Sequence, residues 1–470
     1  MTDVTFIILG ATGELTTKKL IPAIYHLVQN KVIKKFAIIG CARRQILVKD
    51  LLRQAKPPLS KQELSSKPAQ AAWSAIEKNT HYVQLDFYDT KGYSRLQEKV
   101  LQVEKEQDLS GNHLVYLATL PKHFTVISAN IARTNIMPMV RRKAAKNRTV
   151  FGTEAEKNQG HEEGWCRVAY EKPFGHDLRS AREINTFVSK LFQEEQVYRV
   201  DHYLGKELVN NISLARFTNR VLEPLWNRNH VASVEIIMDE DYGVEGRGEF
   251  YDQYGALKDV VQNHVLQLLS LIAMEPPKKL DAENIQKEKT RILERMILKA
   301  VALGQYKGFR KEPGVRRDST TETFAQLIAE IDNPRWYGVP IFIRTGKHLR
   351  KKETKVVLHF KKVKCLLDTC PREENLLTIN FFPEQSMVLR LNAKIPQKNE
   401  VAPVDMEFCY SCAFGPNTPE AYQNILRDII LGEHLAFVST KEIELSWKII
   451  DKIKRPDIQV YQKGSAGPGS

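Results

Sequence analysis

The chain has 470 residues, 42% of them hydrophobic and 27% charged, which is enough for two domains with sizeable cores and excludes a disordered or collagen-like chain. Lys and Arg outnumber Asp and Glu by 70 to 56, and the net charge of +14 favours anionic partners such as phosphorylated metabolites and nucleotides. No nucleic-acid partner is expected, because no zinc-finger or RNA-binding signature accompanies the basic runs Arg141–Arg148, Gly346–Lys355 and Lys361–Lys364, which read as solvated faces.

In chain order, short apolar runs at Val4–Gly10, Phe36–Gly40, Tyr82–Phe87, His113–Thr119 and Cys166–Lys172 alternate with amphipathic segments. That alternation predicts a parallel sheet with crossover helices. Leu20, Ile21, Ile24, Leu27 and Val28 have helical spacing, and Pro22 is expected to kink that helix. The polar stretch Thr149–Trp165 reads as loop. Beyond residue 200 the pattern changes: helices are expected near 251–274 and 281–303, then the consecutive strand-like runs FIRTG, VVLHF, LLTINFF and MVLRLNA. The expected fold is therefore an α/β Rossmann-type dinucleotide-binding domain over 1–200, followed by an α+β domain with a large, mostly antiparallel sheet over 201–470. The tail Gly464–Ser470 reads as flexible. Val265–Met274, the longest apolar stretch, is too short for a bilayer span, and the N-terminus shows no charged leader with a cleavage site. No membrane association is expected, and the compartment is read as cytoplasmic. Six cysteines are present, but Cys365/Cys370 and Cys409/Cys412 lie in segments patterned as strands without histidines at zinc spacing. No metal is expected, and the cysteines are read as small buried hydrophobes.

The first strand ends in Gly10-Ala11-Thr12-Gly13-Glu14-Leu15. Small residues at a strand-to-helix junction let backbone amides approach a pyrophosphate, so this loop is the candidate cofactor cradle. Its spacing is Gly-x-x-Gly rather than Gly-x-Gly-x-x-Gly, and a tight turn without a ligand would also account for it. The second strand ends in Arg43 and Arg44, where an NAD site expects an acidic residue. A guanidinium suits a 2′-phosphate, which favours NADP without excluding NAD.

"RVDHYLGKELVNNI" (Arg199–Ile212) crowds ionisable groups at the mouth of a helix. A helix beginning near Asp201 would set His202 and Lys206 one turn apart, able to close on one anion, with Asp201 about 100° away. A simple helix cap beside solvated polar residues is the alternative.

That run, together with "VAYEKPFGHDL", "EGRG", "YDQYGALKDVVQNHVLQLLSLIAMEPP" and "WYGVPIFIRTGKHL", resembles the glucose-6-phosphate dehydrogenase family across nearly the whole chain. The resemblance implies NADP-dependent oxidation of C1 of glucose 6-phosphate to 6-phosphoglucono-1,5-lactone, the first step of the oxidative pentose phosphate pathway. It implies that His264 is the catalytic base and Asp201 its dyad partner. His202, Tyr203 and Lys206 would hold the phosphate. Lys172 would touch both cofactor and sugar beside a cis-capable Lys172–Pro173 bond, and Glu240, Asp259, Lys347 and Lys352 would bind the substrate. Asp259 and His264 stand about 140° apart on an ideal α-helix, so spacing alone does not unite them. A homodimer or homotetramer built through the second domain's sheet is implied as well. Two departures are Leu120, where relatives commonly have proline, and Phe124, where a tyrosine touches the cofactor. Glu353 stands where animal members have a lysine for a second, structural NADP, which is therefore not expected here. The competing readings are a dehydrogenase for another hexose phosphate or sugar, and a catalytically silent basic binding protein on the same fold.

Overall fold

Every residue of Val4–Leu9 is buried, the pattern of a strand covered on both faces rather than one. In the computed structural model this strand lies inside a six-stranded sheet. Residues 3–55, 66–134, 136–137, 164–363, 373–415 and 419–469 are described. Most of the Thr149–Trp165 loop, the Arg141–Arg148 run, Lys364, Cys365 and Cys370 lie outside them.

The first compact unit comprises Met1–Gly175, Arg179–Gly205 and Glu420–Val438. Its strands are β1 (Val4–Leu9), β2 (Phe36–Ala42), β3 (Thr80–Gln84), β4 (His113–Leu117), β5 (Cys166–Tyr170) and β6 (Val197–Arg199), in the order β3-β2-β1-β4-β5-β6. All the pairings are parallel. The order reverses between β1 and β4, and the crevice at the carboxyl ends of those strands is where such sheets bind ligands. At Pro22 the helix type changes: the chain forms a π-turn over Thr16–Leu20 and continues directly as the α-helix Ile21–Gln29, with the proline at its second position. Glu420–Val438 joins this unit from far along the chain. Its helix Ala421–Leu431 buries Tyr422, Ile425, Leu426, Ile429 and Ile430, and Arg167 Nη1 donates to the carbonyl of Ile430 at 2.7 Å.

The second unit comprises His176–Leu178, Lys206–Pro419 and Ser439–Ser470. Its strands are β7 (Val231–Asp239), β8 (Met296–Tyr306), β9 (Phe324–Ile331), β10 (Ile341–Gly346), β11 (Glu353–Phe360), β12 (Leu376–Phe382), β13 (Ser386–Lys394), β14 (Val401–Cys409) and β15 (Ile458–Tyr461). They form one nine-stranded sheet, β14-β13-β12-β11-β7-β10-β9-β8-β15. It is antiparallel except where β10 meets β7 and β15 meets β8. The architecture is thus a Rossmann-type parallel sheet followed by a mostly antiparallel one. No helix among the described residues is long and apolar enough to cross a membrane.

Three local expectations fail here. The helix expected over 281–303 stops at Arg295, and Met296–Tyr306 is β8. Leu, Ala and Lys in that segment favour helix, and pairing with β9 overrides them. The Gly-rich tail is not loose: Ser465 O accepts from Arg350 N at 2.9 Å, Gly464 N donates to His348 O at 2.7 Å, and Gly467 lies against the Phe324 ring. Its glycines let the backbone approach that closely. Cys409 and Cys412 are joined as a disulfide, with Cys412 exposed, so neither is a buried apolar filler.

Candidate active site

In the first unit, the turn after β1 is built for close backbone approach. Gly10 has φ +101°, and a Cβ there would sit 2.3 Å from Ala118 O, so only glycine fits. Gly10 N and Ala11 N both donate to Cys41 O, at 2.8 and 3.1 Å, and Gly13 N donates to Gly10 O at 3.0 Å. These bonds fix the loop and leave Thr12 N–H as a donor with no partner among the described residues. Thr16 and Thr17 hydroxyls return to the carbonyls of Gly10 and Gly13, at 3.1 and 3.2 Å. Beside Gly10, the buried Thr119 hydroxyl has no hydrogen-bond partner among the described residues. Sequence reasoning missed Thr119, because its signal is a three-dimensional orphan and not a motif. A buried hydroxyl without a partner at a phosphate-type turn suits a ligand that would complete it.

Arg43 and Arg44 follow β2 with exposed guanidiniums, and neither has an acidic partner among the described residues. Their backbone is held instead: Gln84 Nε2 donates to Arg43 O at 2.9 Å, and the Tyr82 hydroxyl donates to Arg44 O. Nearby His123 is held below the usual imidazole range by burial and by the charges of Lys122 and Arg43. The patch is electropositive, as a 2′-phosphate requires. Phe124 is fully buried, edge-on to Tyr170 at 5.2 Å and 6.1 Å from Phe174, so it serves the core.

β5 runs into Glu171, and the Lys172–Pro173 bond is cis. Burial pushes the Glu171 carboxyl up to about 7, although Tyr116 and Tyr422 hydroxyls both donate to Oε1, at 2.5 and 3.1 Å. β6 leads to Asp201, which is buried and accepts from Tyr203 N at 2.9 Å. The rings of His202 and Tyr203 lie 4.9 Å apart. Here the sequence expectation needs correction. The helix does not begin near Asp201: residues 201–205 form a turn, closed by Leu204 N to Asp201 O at 3.0 Å, and the helix Glu207–Thr218 starts after Lys206 as its N-cap. His202 and Lys206 therefore do not share a helical face. Gly205 packs on Ile425, which leaves no room for a side chain inside that turn.

In the second unit, β7 and β10 run parallel side by side, and the residues just past their ends meet. Lys347 Nζ lies 2.5 Å from Glu240 Oε2, and the Tyr242 hydroxyl donates to Glu240 Oε1 at 2.6 Å. Lys347 is only 2% exposed, with its ammonium 5.2 Å from the Tyr242 ring and 4.9 Å from the Tyr251 ring. Lys352 stands over Tyr242 and Phe382, at 5.3 and 4.4 Å. Tyr251 is buried, and that burial together with the charges of Asp259 and Glu240 holds its phenol well above the usual range. Glu240, Lys347 and Lys352 are thus one cluster organised around Tyr242 and Tyr251, two tyrosines that sequence reasoning did not select.

Asp259 and His264 both belong to a π-helix over Leu257–Val265. In a π-helix the hydrogen bonds run from i to i+5, so residues five apart stand one turn above each other. The separation expected on an α-helix does not apply, and the two align along one face. The π-helix is anchored at its start: Gly255 has φ +66°, which leaves room for the Glu322 carboxylate, and Glu322 Oε1 accepts from Leu257 N at 3.1 Å. His264 itself is 3% exposed. Glu353, in contrast, is spent on structure, with Lys351 and Lys355 ammoniums at 2.9 and 3.0 Å.

Sequence models of two domain families match this chain. Glucose-6-phosphate dehydrogenase, NAD binding domain, covers residues 7–211, and the C-terminal domain of the same enzyme covers 213–470. Among curated relatives, glucose-6-phosphate 1-dehydrogenase of Chlamydia pneumoniae is 36% identical over 98% of this chain and 92% of its own length. The Bacillus subtilis protein of the same name is 35% identical, over 98% and 94%. A solved glucose-6-phosphate dehydrogenase in complex with its substrate glucose-6-phosphate superposes with a TM-score of 0.86 at 30% identity, covering 100% of this chain and 96% of that one. The Mycobacterium avium glucose-6-phosphate 1-dehydrogenase superposes with a TM-score of 0.81 at 34% identity, covering 99% and 95%. The chain belongs to the glucose-6-phosphate dehydrogenase family.

Proposed function

We propose that this chain oxidises C1 of glucose 6-phosphate to 6-phosphoglucono-1,5-lactone with NADP as hydride acceptor. The observation that carries this reading is the match of both family domains over 7–211 and 213–470, with the Asp201–Lys206 run intact. In this reading His264 takes the proton of the C1 hydroxyl, a task suited to a group that changes charge near neutral pH. Asp201 fixes the imidazole tautomer and steadies its charged form. His202, Tyr203 and Lys206 hold the phosphate dianion. Lys172, Asp259, Lys347, Lys352 and Glu240 orient the sugar hydroxyls, with Glu240 as acceptor and the lysines as donors.

The cofactor fits the first unit. The Gly10–Leu15 turn, whose crowding at Gly10 admits no Cβ, would take the pyrophosphate, and Arg43 the 2′-phosphate. When bound, NADP supplies the hydride acceptor. The chain's own residues bind, orient and move the proton.

We also propose a homodimer or homotetramer whose contact is the outer face of β13 and β14, and a cytoplasmic site of action. Register sets Met387, Leu389, Leu391 and Ala393 opposite Phe408, Met406, Val404 and Ala402, all on one face. Met406 and Val404 are 61% and 49% exposed. A continuous apolar face on an edge pair suits burial against a second copy. The function is tested by following NADP reduction with glucose 6-phosphate, glucose and other hexose phosphates. Turnover confined to glucose 6-phosphate is expected, and none with that substrate would end the proposal.

A further inference from the structure

The helix Ala421–Leu431 reaches the first unit from far along the chain, and it carries buried polar side chains that the proposed chemistry does not use. Ile425, Leu426 and Ile429 on the same helix are buried and dock it by apolar contact. Tyr422 and Asn424 are buried as well, at 8% and 1% exposure. Burying a polar group costs free energy unless it finds a hydrogen-bond partner. Both do, and each partner lies in a segment of the candidate site.

The Tyr422 hydroxyl donates to Glu171 Oε1 at 3.1 Å, across 251 positions of sequence. Tyr116, on β4, donates to the same oxygen at 2.5 Å. The backbone amide of Lys172 also donates to this carboxylate, and the Lys172 charge acts on it. Donors from β4, from the distant helix and from Lys172 itself thus converge on one buried carboxylate. The Tyr422 phenol is held well above its usual range by burial and by the charges of Glu171 and Asp201, so it remains a donor. Asn424 Nδ2 donates to Gly205 O at 2.9 Å. Gly205 lies so close to the helix that a Cβ there would meet Ala421 O at 2.6 Å. It ends the turn that carries His202 and Tyr203, whose start is pinned by Tyr203 N donating to Asp201 Oδ1 at 2.9 Å. Residues two apart on an α-helix point about 160° from each other, so Tyr422 and Asn424 address the two segments from different sides of one helix.

We propose that Tyr422 and Asn424 are positioning residues: Tyr422 sets Lys172 through Glu171, and Asn424 sets the phosphate-binding turn through Gly205. Apolar burial decides that the helix docks, but it is non-directional. The hydrogen bonds of Tyr422 and Asn424 are directional, and they decide where Lys172 and the His202 turn stand. Small displacements of such groups weaken substrate positioning steeply. Both assignments rest on the roles proposed for Lys172, His202 and Tyr203. The two residues divide the labour. Lys172 serves cofactor and sugar alike, so loss of the Tyr422 hydroxyl is felt by both. The turn serves only the sugar phosphate, so loss of the Asn424 amide is felt there alone.

Full-length wild type, Tyr422→Phe and Asn424→Ala are compared by steady-state kinetics, by fluorescence titration with NADPH and by differential scanning fluorimetry. Tyr422→Phe is expected to raise KM for NADP, KM for glucose 6-phosphate and Kd for NADPH together, each by about fivefold, the size of one hydrogen bond. Asn424→Ala is expected to raise KM for glucose 6-phosphate by about fivefold and to leave Kd for NADPH unchanged. A merely structural role gives another pattern, in which a smaller active fraction lowers kcat and leaves every KM and the Kd as in wild type. That pattern would overturn the proposal, and so would an identical rise of all constants in both variants. In Lys172→Met, adding Tyr422→Phe should shift Kd for NADPH by less than about twofold, because the group it positions is gone. A full fivefold shift there would overturn the link to Lys172. Glu171→Gln, which keeps the volume and an acceptor oxygen, covers the case in which Tyr422→Phe does not fold. The same joint rise in both KM values is expected of it, and unchanged values would overturn the link. Absence of turnover in wild type, with the NADPH titrations as expected, would support the positioning role of Tyr422 and remove the catalytic reading instead.

Discussion

Lys347→Ala probes the strand-end cluster most sharply. Lys347 is almost fully buried and pairs with Glu240 at 2.5 Å between two tyrosine rings. Removing one member of a buried ion pair costs about 3–5 kcal/mol, because the other charge is left uncompensated. Glu240 keeps the Tyr242 hydroxyl, and its side chain is 28% exposed, so water can partly replace the ammonium. That brings the electrostatic part down to about 2 kcal/mol, and the two lost ring contacts add about 0.5–1 kcal/mol each. The expected loss is about 3–4 kcal/mol, or a fall of roughly 6–16 °C in the unfolding midpoint of a unit this size. In Glu240→Gln the same lysine substitution should cost less by about 1–2 kcal/mol, the coupling a double-mutant cycle isolates. KM for glucose 6-phosphate should rise about tenfold or more, as for loss of a charged hydrogen bond, with kcat changed less. The assays are differential scanning fluorimetry and steady-state kinetics on the same preparations. A midpoint within about 2 °C of wild type with KM unaltered would refute both the pairing energy and the binding role, since it corresponds to less than about 1 kcal/mol.

Further expectations concern residues in distinct roles. His264→Ala should lower kcat by about 10²–10⁴-fold while KM stays within a few-fold, and surviving turnover would show the base to be misassigned. Lys206→Ala should raise KM for glucose 6-phosphate by about tenfold and leave any turnover of unphosphorylated glucose alone, as expected for one charge-assisted contact. Arg43→Ala should weaken NADP by about tenfold and spare NAD, and no change in the ratio would shift the 2′-phosphate role to Arg44. Glu171 titrates near 7 when folded, because burial raises it, and in the usual carboxylate range when unfolded. The folded state therefore binds the extra proton between about 4.5 and 7, and its stability contribution is lost as pH rises through that window. Glu171→Gln should flatten the decline of the unfolding midpoint between about pH 5 and 8; an unchanged slope would place the titration elsewhere.

What the sequence made legible follows its periodicities. β1, β2, β4 and β5 are apolar runs closed by small or polar residues, and Gly10 stands where only a residue without Cβ fits. The alignment of Asp259 with His264 was hidden, because it depends on a π-helix set up by Gly255 and Glu322, residues 67 positions apart in the chain. No local pattern announces an i-to-i+5 ladder. The start of the helix after Lys206 was misjudged for a related reason: the Asp201–Gly205 turn is held by tertiary contacts, with Asn424 Nδ2 donating to Gly205 O at 2.9 Å. The transition at Arg295 was missed because β8 is made of helix-favouring residues, and only its neighbour β9 decides the outcome. Tyr242, Tyr251 and Thr119 carry no motif. They emerge from what they touch, or in the case of Thr119 from what its hydroxyl lacks among the described residues.

The most direct test is the ratio of kcat/KM for glucose 6-phosphate to that for glucose, measured with saturating NADP. Two charge-assisted contacts to the phosphate at about 1.5–3 kcal/mol each predict a preference of about 10²–10⁴-fold, reduced by about an order of magnitude or more in Lys206→Ala. Equal efficiency on the two sugars, in wild type and variant alike, would contradict the account.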